Sequence, residues 1–219
     1  MRLLLQPPVL GKACVAAVIS AAASYPRLML WQHQPAPLWY LEAIIFFCSI
    51  MLWSFVFAWH EPYSGRPVFV LRPDPAPWLV ATVAGLGLAL INHHWLDPVL
   101  RTKFPEEYPS DWLHWLAAVL FLLAFNQLFA VFAPIDWLMR LTKNRWATAT
   151  LTGLLAAGLL YYKIQKLGVT VPSGMLVAML FGRLLAGFLV VWFYLRGGIA
   201  LVWWWGGLLE SRLALDLLK

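Results

Sequence analysis

The sequence predicts an all-α fold, a polytopic bundle of about seven transmembrane helices, and three observations carry that reading. Of its 219 residues 62% are hydrophobic and only 12% are charged, with a mean hydropathy of +0.73. A soluble domain of this size cannot bury so much apolar surface. Several apolar stretches reach the roughly 20 residues that cross a bilayer core. Those stretches are unbroken runs, not the alternating pattern of a membrane β-barrel.

Seven segments follow in order. The first, about Val9–Leu30, has the look of a signal peptide, but Pro7, Pro8 and Lys12 interrupt its apolar core, so it is read as the first span. The second, Leu38–Trp59, opens after the breaker Pro35-Ala36-Pro37. The third, Trp78–Leu96, follows the proline-rich RPDPAP. The fourth, Trp112–Met139, is too long for one straight crossing; a break at Pro134 is expected, with Asp136 to Arg140 in an interfacial turn. The fifth, Trp146–Tyr162, is short and carries LTGLLAAGLL, whose small residues favour close helix contact. The sixth, Ser173–Leu195, starts behind Pro172, and only Gly197-Gly198 separates the end region of this span from the seventh, Ile199–Leu218.

Composition narrows the partners. The net charge of +6 is spread over loops, with no basic cluster interleaved with aromatics, so nucleic acid is excluded as a partner and the lipid bilayer is the expected one. Lys and Arg divide evenly between the two sides of a seven-span topology; the densest cluster, RLTKNR, is placed in the cytoplasm. Tryptophans such as Trp31, Trp39, Trp78, Trp112 and Trp146 sit near span ends, as an interfacial belt requires. Cys14 and Cys48 lie in apolar runs and suggest neither a disulfide framework nor a metal site.

The most informative residues are two adjacent amides, Asn126 and Gln127, deep in the fourth segment. Hydrocarbon offers them no water, so they must face other helices or a wet cavity. Interhelical hydrogen bonding and ligand binding are both open readings. Arg183 and Glu210 stand at similar heights on either side of the Gly197-Gly198 turn and are expected to pair. Trp203-Trp204-Trp205, followed by Gly206-Gly207, projects around most of a helix beside a packing notch.

From Asn126 onward the order of parts resembles the CPBP family, the CAAX-protease and bacteriocin-processing intramembrane proteases. Members carry E-E-x-x-x-R, F-x-x-x-H and a late H-x-x-x-N or H-x-x-x-D on successive membrane helices. Here NQLFAVFAPIDWLMRLTKNRWATATLTGLLAAGLL has an apolar helix with a polar pair, a basic turn and a small-residue helix. MLFGRLLAGFLVVWFYLRGGIALVWWWGGLLES is similar to the glycine-spaced helix and the entry to the last motif. The resemblance implies a single membrane domain over residues 1–219: spans and loops over 1–111, then a CPBP-like core over 112–219. It places the paired glutamates on Asn126 and Gln127 and the arginine on Val131. The second motif falls on Ala156 and Leu160, or on Ala157 and Tyr161. The late histidine falls on Gly206 or Gly207, and its partner on Glu210 or Ser211. An amide cannot accept a proton as a general base, and no histidine remains in the last three spans. The implied protein is a catalytically inactive relative in a bacterial inner membrane. It acts as a binding or scaffold subunit whose partner is another membrane protein, with no cofactor or metal.

Two other readings start from polar residues near the span ends. His60, His93, His94, Glu106, Glu107 and His114 are candidate ligands or simply a polar rim. Adjacent histidines diverge by about 100° on a helix, and the spacing fits no firm metal motif. An active peptidase built on Glu106, Glu107 and His114 is one alternative. A structural subunit holding haem or pigment through these histidines is the other.

Overall fold

A computed structural model describes residues 3–31, 34–70, 74–105, 108–166, 168 and 171–218. The described elements are helical: α1 (Pro7–Met29), α2 (Leu38–Ser64), α3 (Pro75–Ile91), α4 (Asp97–Lys103), α5 (Trp112–Phe121), α6 (Ala133–Thr142), α7 (Arg145–Lys166) and α8 (Ser173–Leu215). Three π-turns, Asn92–Leu96, Leu122–Asn126 and Leu128–Phe132, join α3 to α4 and α5 to α6. Five helical stretches are long and apolar enough to cross a membrane: Pro7–Met29, Leu38–Ser64, Pro75–Lys103, Trp112–Thr142 and Ser173–Leu218. The chain is therefore an integral membrane protein of helical type.

The five stretches differ from the seven expected segments in two places. Helix α7 carries Thr148, Thr150, Thr152, Lys163 and Lys166, which lower its hydropathy below that of a membrane span. The last two segments form one helical stretch, but it is broken at Gly198, whose φ of 67° and ψ of −161° belong to a region open essentially to glycine alone. The rings of Phe193 and Trp205 lie 5.6 Å apart, whereas a straight helix would separate these positions by roughly 18 Å. So α8 doubles back, and its arms, 173–197 and 199–215, stand side by side.

The loop after α2 seals this reversal. Ile199 N–H donates to the Val68 carbonyl at 3.2 Å, Phe69 bridges Gly198, and Arg66 Nη1 donates to the Arg196 carbonyl at 2.7 Å. Backbone groups freed by the turn thereby find partners without water.

The expected break at Pro134 is not there. The chain stays helical from Trp112 to Thr142, and Pro134 enters α6 directly behind the second π-turn. A π-turn shifts the hydrogen-bond register, so the missing N–H of proline is absorbed without ending the helix. Asp136 is consequently not in an interfacial turn. It is 1% exposed inside the bundle.

Small residues face inward and large ones outward. On α1 the buried stripe is Ala13, Ala17, Ser20, Ala21, Ser24 and Leu28, against which α2 packs. On α3 Ala81, Gly85 and Ala89 are buried while Leu79, Val83, Leu86 and Leu90 are exposed. With no hydrophobic drive between helices in lipid, close backbone approach and interhelical hydrogen bonds hold such faces together. A close backbone approach joins α7 to the first arm of α8. A methyl on Gly187 would overlap the Gly153 backbone, and one on Gly153 would meet the Leu184 carbonyl at 2.8 Å. The Trp53 indole donates to Ser20 Oγ at 2.9 Å, linking α2 to α1.

One polar cluster ties three elements at the centre. His60 Nδ1 of α2 lies 3.0 Å from Asp136 Oδ1 of α6, and the Tyr194 hydroxyl of α8 donates to Asp136 Oδ2 at 2.7 Å. All three side chains are shielded, with Phe132 stacked on Tyr194 at 5.2 Å.

Three substitutions test this frame through thermal unfolding in detergent. Gly198→Ala should destabilise by about 1–3 kcal/mol from the backbone conformation alone. Asp136→Ala should cost about 3 kcal/mol because it strands the His60 and Tyr194 groups, whereas Tyr194→Phe should cost about 1 kcal/mol. Equal losses for the last two variants would show that Asp136 does not bridge them.

Candidate functional site

A cavity of about 360 Å³ lies between α3 and the turn and helix that follow it, the fourth span, α7 and both arms of α8. Its walls are mostly leucine, alanine and valine. The π-turn Leu122–Asn126 brings Asn126 and Gln127 to its edge, where Gln127 is buried and Asn126 is exposed. The glycine contact between α7 and α8 closes one wall beside Thr152.

All seven positions to which the family resemblance assigns the active site line this cavity: Asn126, Gln127, Val131, Ala156, Leu160, Gly206 and Glu210. They come from three separate segments of sequence. The alternative registers do not line it. Tyr161 is exposed, and Gly207 borders a different, shallower groove with Trp78, Leu123 and Trp204. Gly206 leaves a notch that the Gln127 amide fills: its Nε2 occupies the place a Gly206 side chain would take.

The amide pair does not bridge helices. Among the described residues neither Asn126 nor Gln127 makes a hydrogen bond to another side chain, and Gln127 Oε1 is buried without a partner. Thr152 Oγ1 and Trp205 Nε1 are likewise buried and unpartnered, and both residues line the same cavity. The three tryptophans divide their roles. Trp203 donates to the Leu123 carbonyl at 2.8 Å and Trp204 to Thr82 Oγ1 at 2.9 Å, while Trp205 turns inward.

Charge gathers at one end of the cavity. Arg212 Nε donates to Asp97 Oδ2 at 3.1 Å, Arg212 Nη1 lies 3.6 Å from Glu210 Oε1, and the Tyr108 hydroxyl donates to Asp97 Oδ1 at 2.9 Å. Arg183 lies within electrostatic reach of both Glu210 and Arg212. The expected Arg183–Glu210 pair is thus a triad in which Arg212 is the closer partner of the glutamate. Arg101 pairs with Asp216 and covers the Tyr108 ring at 4.9 Å. Burial, and then the hydrogen bond to Asp97, push the Tyr108 hydroxyl well above the ordinary phenol range.

The candidate rim residues disperse. His60 belongs to the Asp136 cluster, and its Nε2 is buried without a partner. His93 and His94 pack edge to face at 5.0 Å, and His93 Nδ1 is 3.9 Å from Asp216. Glu106 and Glu107 lie outside the described residues. His114 Nδ1 contacts Asp111 Oδ2 at 2.7 Å and Ser110 Oγ at 3.3 Å. A serine-nucleophile triad needs its serine and carboxylate on opposite ring nitrogens, so this cluster is an N-terminal cap of α5. Among the described residues no three His, Cys, Asp or Glu side chains are grouped to hold a metal ion.

Sequence reasoning missed Thr152, Trp205, Asp97 and Arg212 as residues that line the same cavity as the amide pair. The TATLT run before the fifth span's glycine was the available signal for Thr152. The pairing of Asp97 with Arg212 spans 115 positions and leaves no local trace.

Comparison with family models, with curated proteins and with solved structures gave no match.

Asp111 caps α5, accepting the His114 backbone N–H at 2.9 Å, and this bond chiefly holds its carboxyl below the usual carboxylate range, with the His114 side chain assisting. Its stabilising contribution is therefore present above the ordinary aspartate pKa and is lost as pH falls through the lowered value. The His114 amide proton, followed by NMR during acid titration, should show a midpoint below that of an unperturbed aspartate. A midpoint at or above it would contradict the capping role.

Proposed function

We propose that this chain is a non-catalytic binding subunit of a membrane assembly, related to the CPBP proteases it resembles, with their active-site cavity retained and their chemistry lost. The observation that carries this reading is the convergence of seven positions, chosen by resemblance from distant parts of the sequence, on one cavity. Six of the seven have no group that can take a proton at neutral pH. The seventh, Glu210, faces Arg212, which favours its role as an ion-pair partner. The space left by the absent histidine is filled by Gln127 against Gly206. In this reading α7 and both arms of α8 cross the bilayer, making seven crossings. The bacterial inner membrane is the setting implied by the family.

The supporting geometry is an entry route. Asn126, Gly182 and Arg183 line the cavity and are also exposed, so it opens to the surroundings of the bundle. A photoactivatable residue at Ala156, inside the cavity, should yield a discrete adduct in native membranes. The same residue at Val177, exposed on the outer face of α8, should yield only diffuse lipid labelling. Asn126→Leu with Gln127→Leu should lower the Ala156 adduct at least roughly fivefold, the scale set by one or two lost hydrogen bonds. Indistinguishable labelling at Ala156 and Val177 would defeat the proposal, and cleavage of membrane peptides by the purified chain would replace it with an active hydrolase.

A further inference from the structure

Contacts between distant segments gather basic residues at the Gly198 end of the bundle. Arg66 donates to the Arg196 carbonyl at 2.7 Å, beside the reversal of α8. The Arg140 guanidinium covers the Trp59 ring at 4.5 Å, and the next residue, His60, meets Asp136. Asp136 in turn accepts from Tyr194, just before Arg196. Lys143 and Arg145 follow Arg140 through the short turn into α7. Arg66, Arg140, Lys143, Arg145 and Arg196 therefore share one end of the molecule. That end lies at a membrane face, because the stretches Leu38–Ser64 and Trp112–Thr142 finish there and Pro75–Lys103 begins there.

Carboxylates do not match these cations. Among the described residues none of the five forms an ion pair with an acid. Asp136 is committed to His60 and Tyr194, and Asp74 caps α3 by accepting the Ala76 N–H at 3.1 Å. Glu61 is the remaining described acid at this end. The other end differs. Arg212, roughly 20 Å along the second arm from Gly198, pairs with Asp97 and Glu210, and Arg101 pairs with Asp216. A cation at a membrane face with no carboxylate beside it leaves its donors to the headgroup layer.

The α6–α7 turn is built to hold its cations in place. Lys143 adopts a left-handed φ of 51°, and its N–H donates to the Met139 carbonyl at 2.9 Å, which closes α6. The Asn144 side chain accepts the Trp146 N–H at 2.9 Å, which opens α7, and the Thr142 and Thr148 hydroxyls meet across the turn at 3.0 Å. Lys143, Arg145 and Trp146 are exposed, and Arg145 lies over the Trp146 ring at 5.5 Å. A guanidinium stacked on a ring uses its face and keeps its edge donors, and an exposed indole suits headgroup depth.

We infer that the Gly198 end of the bundle is a contact surface for anionic phospholipid headgroups, whose phosphate oxygens meet the cations that the chain leaves unmatched. This is independent of what occupies the cavity.

The full-length chain carries benzoylphenylalanine in place of Trp146 or, at the opposite end, in place of Trp112, which is also exposed. It is reconstituted into vesicles of equal parts phosphatidylglycerol and phosphatidylcholine with the same acyl chains, tritiated in one lipid or the other. On irradiation the Trp146 position should label phosphatidylglycerol about fivefold over phosphatidylcholine, the scale of one basic residue at an anionic surface. The Trp112 position should label the two nearly alike. Lys143→Asn with Arg145→Gln should lower the Trp146 ratio to roughly twofold or less, asparagine being chosen because it accepts left-handed backbone. Lys103→Gln with Lys166→Gln removes the same charge from exposed positions at the opposite end and should leave the ratio unchanged. Salt at about 1 M, where the Debye length is about 3 Å, should bring the ratio towards one with no substitution at all. Parity at Trp146, an equal excess at Trp112, or an excess at Trp146 that survives the Lys143 and Arg145 changes or the salt overturns the inference. Lipid parity in vesicles together with a protein adduct at Trp146 in native membranes would assign this surface to an acidic partner protein instead.

Discussion

The buried carboxylate of Asp136 is the point on which the remaining architecture depends. It accepts from Tyr194 and meets His60, so α2, α6 and the first arm of α8 share a single polar centre in an otherwise apolar interior. Apolar packing alone specifies helix positions weakly in lipid, because the surrounding chains are as apolar as the side chains. A polar group that must find its partner is selective by comparison, since one arrangement satisfies it and slipped ones do not. The neighbouring contact of Arg140 over the Trp59 ring at 4.5 Å strengthens the same junction of α2 and α6.

Around that centre the cavity results from departures from regular helix. The π-turns in the fourth span swing the amide pair to the edge of the space and let Pro134 remain in the helix. The reversal at Gly198 sets the second arm of α8 beside the first, so that Gly206 and Glu210 line the same cavity as Gly182 and Arg183. Contact at Gly153 and Gly187 narrows one wall, and the contact of Gly85 with Leu208 and Trp205 fixes another. Irregular backbone at membrane depth is tolerated where it borders protein or a cavity, and here it borders both.

Much of this was legible in the chain itself. The helical membrane class followed from composition and run length, and the Gly197-Gly198 turn was visible as the sole interruption between two apolar runs. The seven named positions that line the cavity were reached only through the resemblance to the CPBP family, and neither composition nor periodicity singled them out. The Pro134 break was misjudged because a proline in sequence does not reveal whether a π-turn precedes it. The role of Asp136 was hidden for another reason. Its partners lie 76 and 58 positions away, and nothing local distinguishes a buried aspartate from one at the membrane surface. His60 looked like a rim residue on the same grounds.

The seal on the α8 reversal has a consequence for how the chain is made. Arg66 and the Arg196 carbonyl it holds are 130 positions apart, so at about 5–20 residues per second the loop leaves the ribosome roughly 7 to 26 seconds before its partner exists. During that interval Val68 stays unclaimed, and His60 waits 76 positions for its carboxylate. The contact that completes the turn is thus among the last to form. A nascent chain stalled before residue 196 would hold most of its membrane helices but neither the closed turn nor the second wall of the cavity.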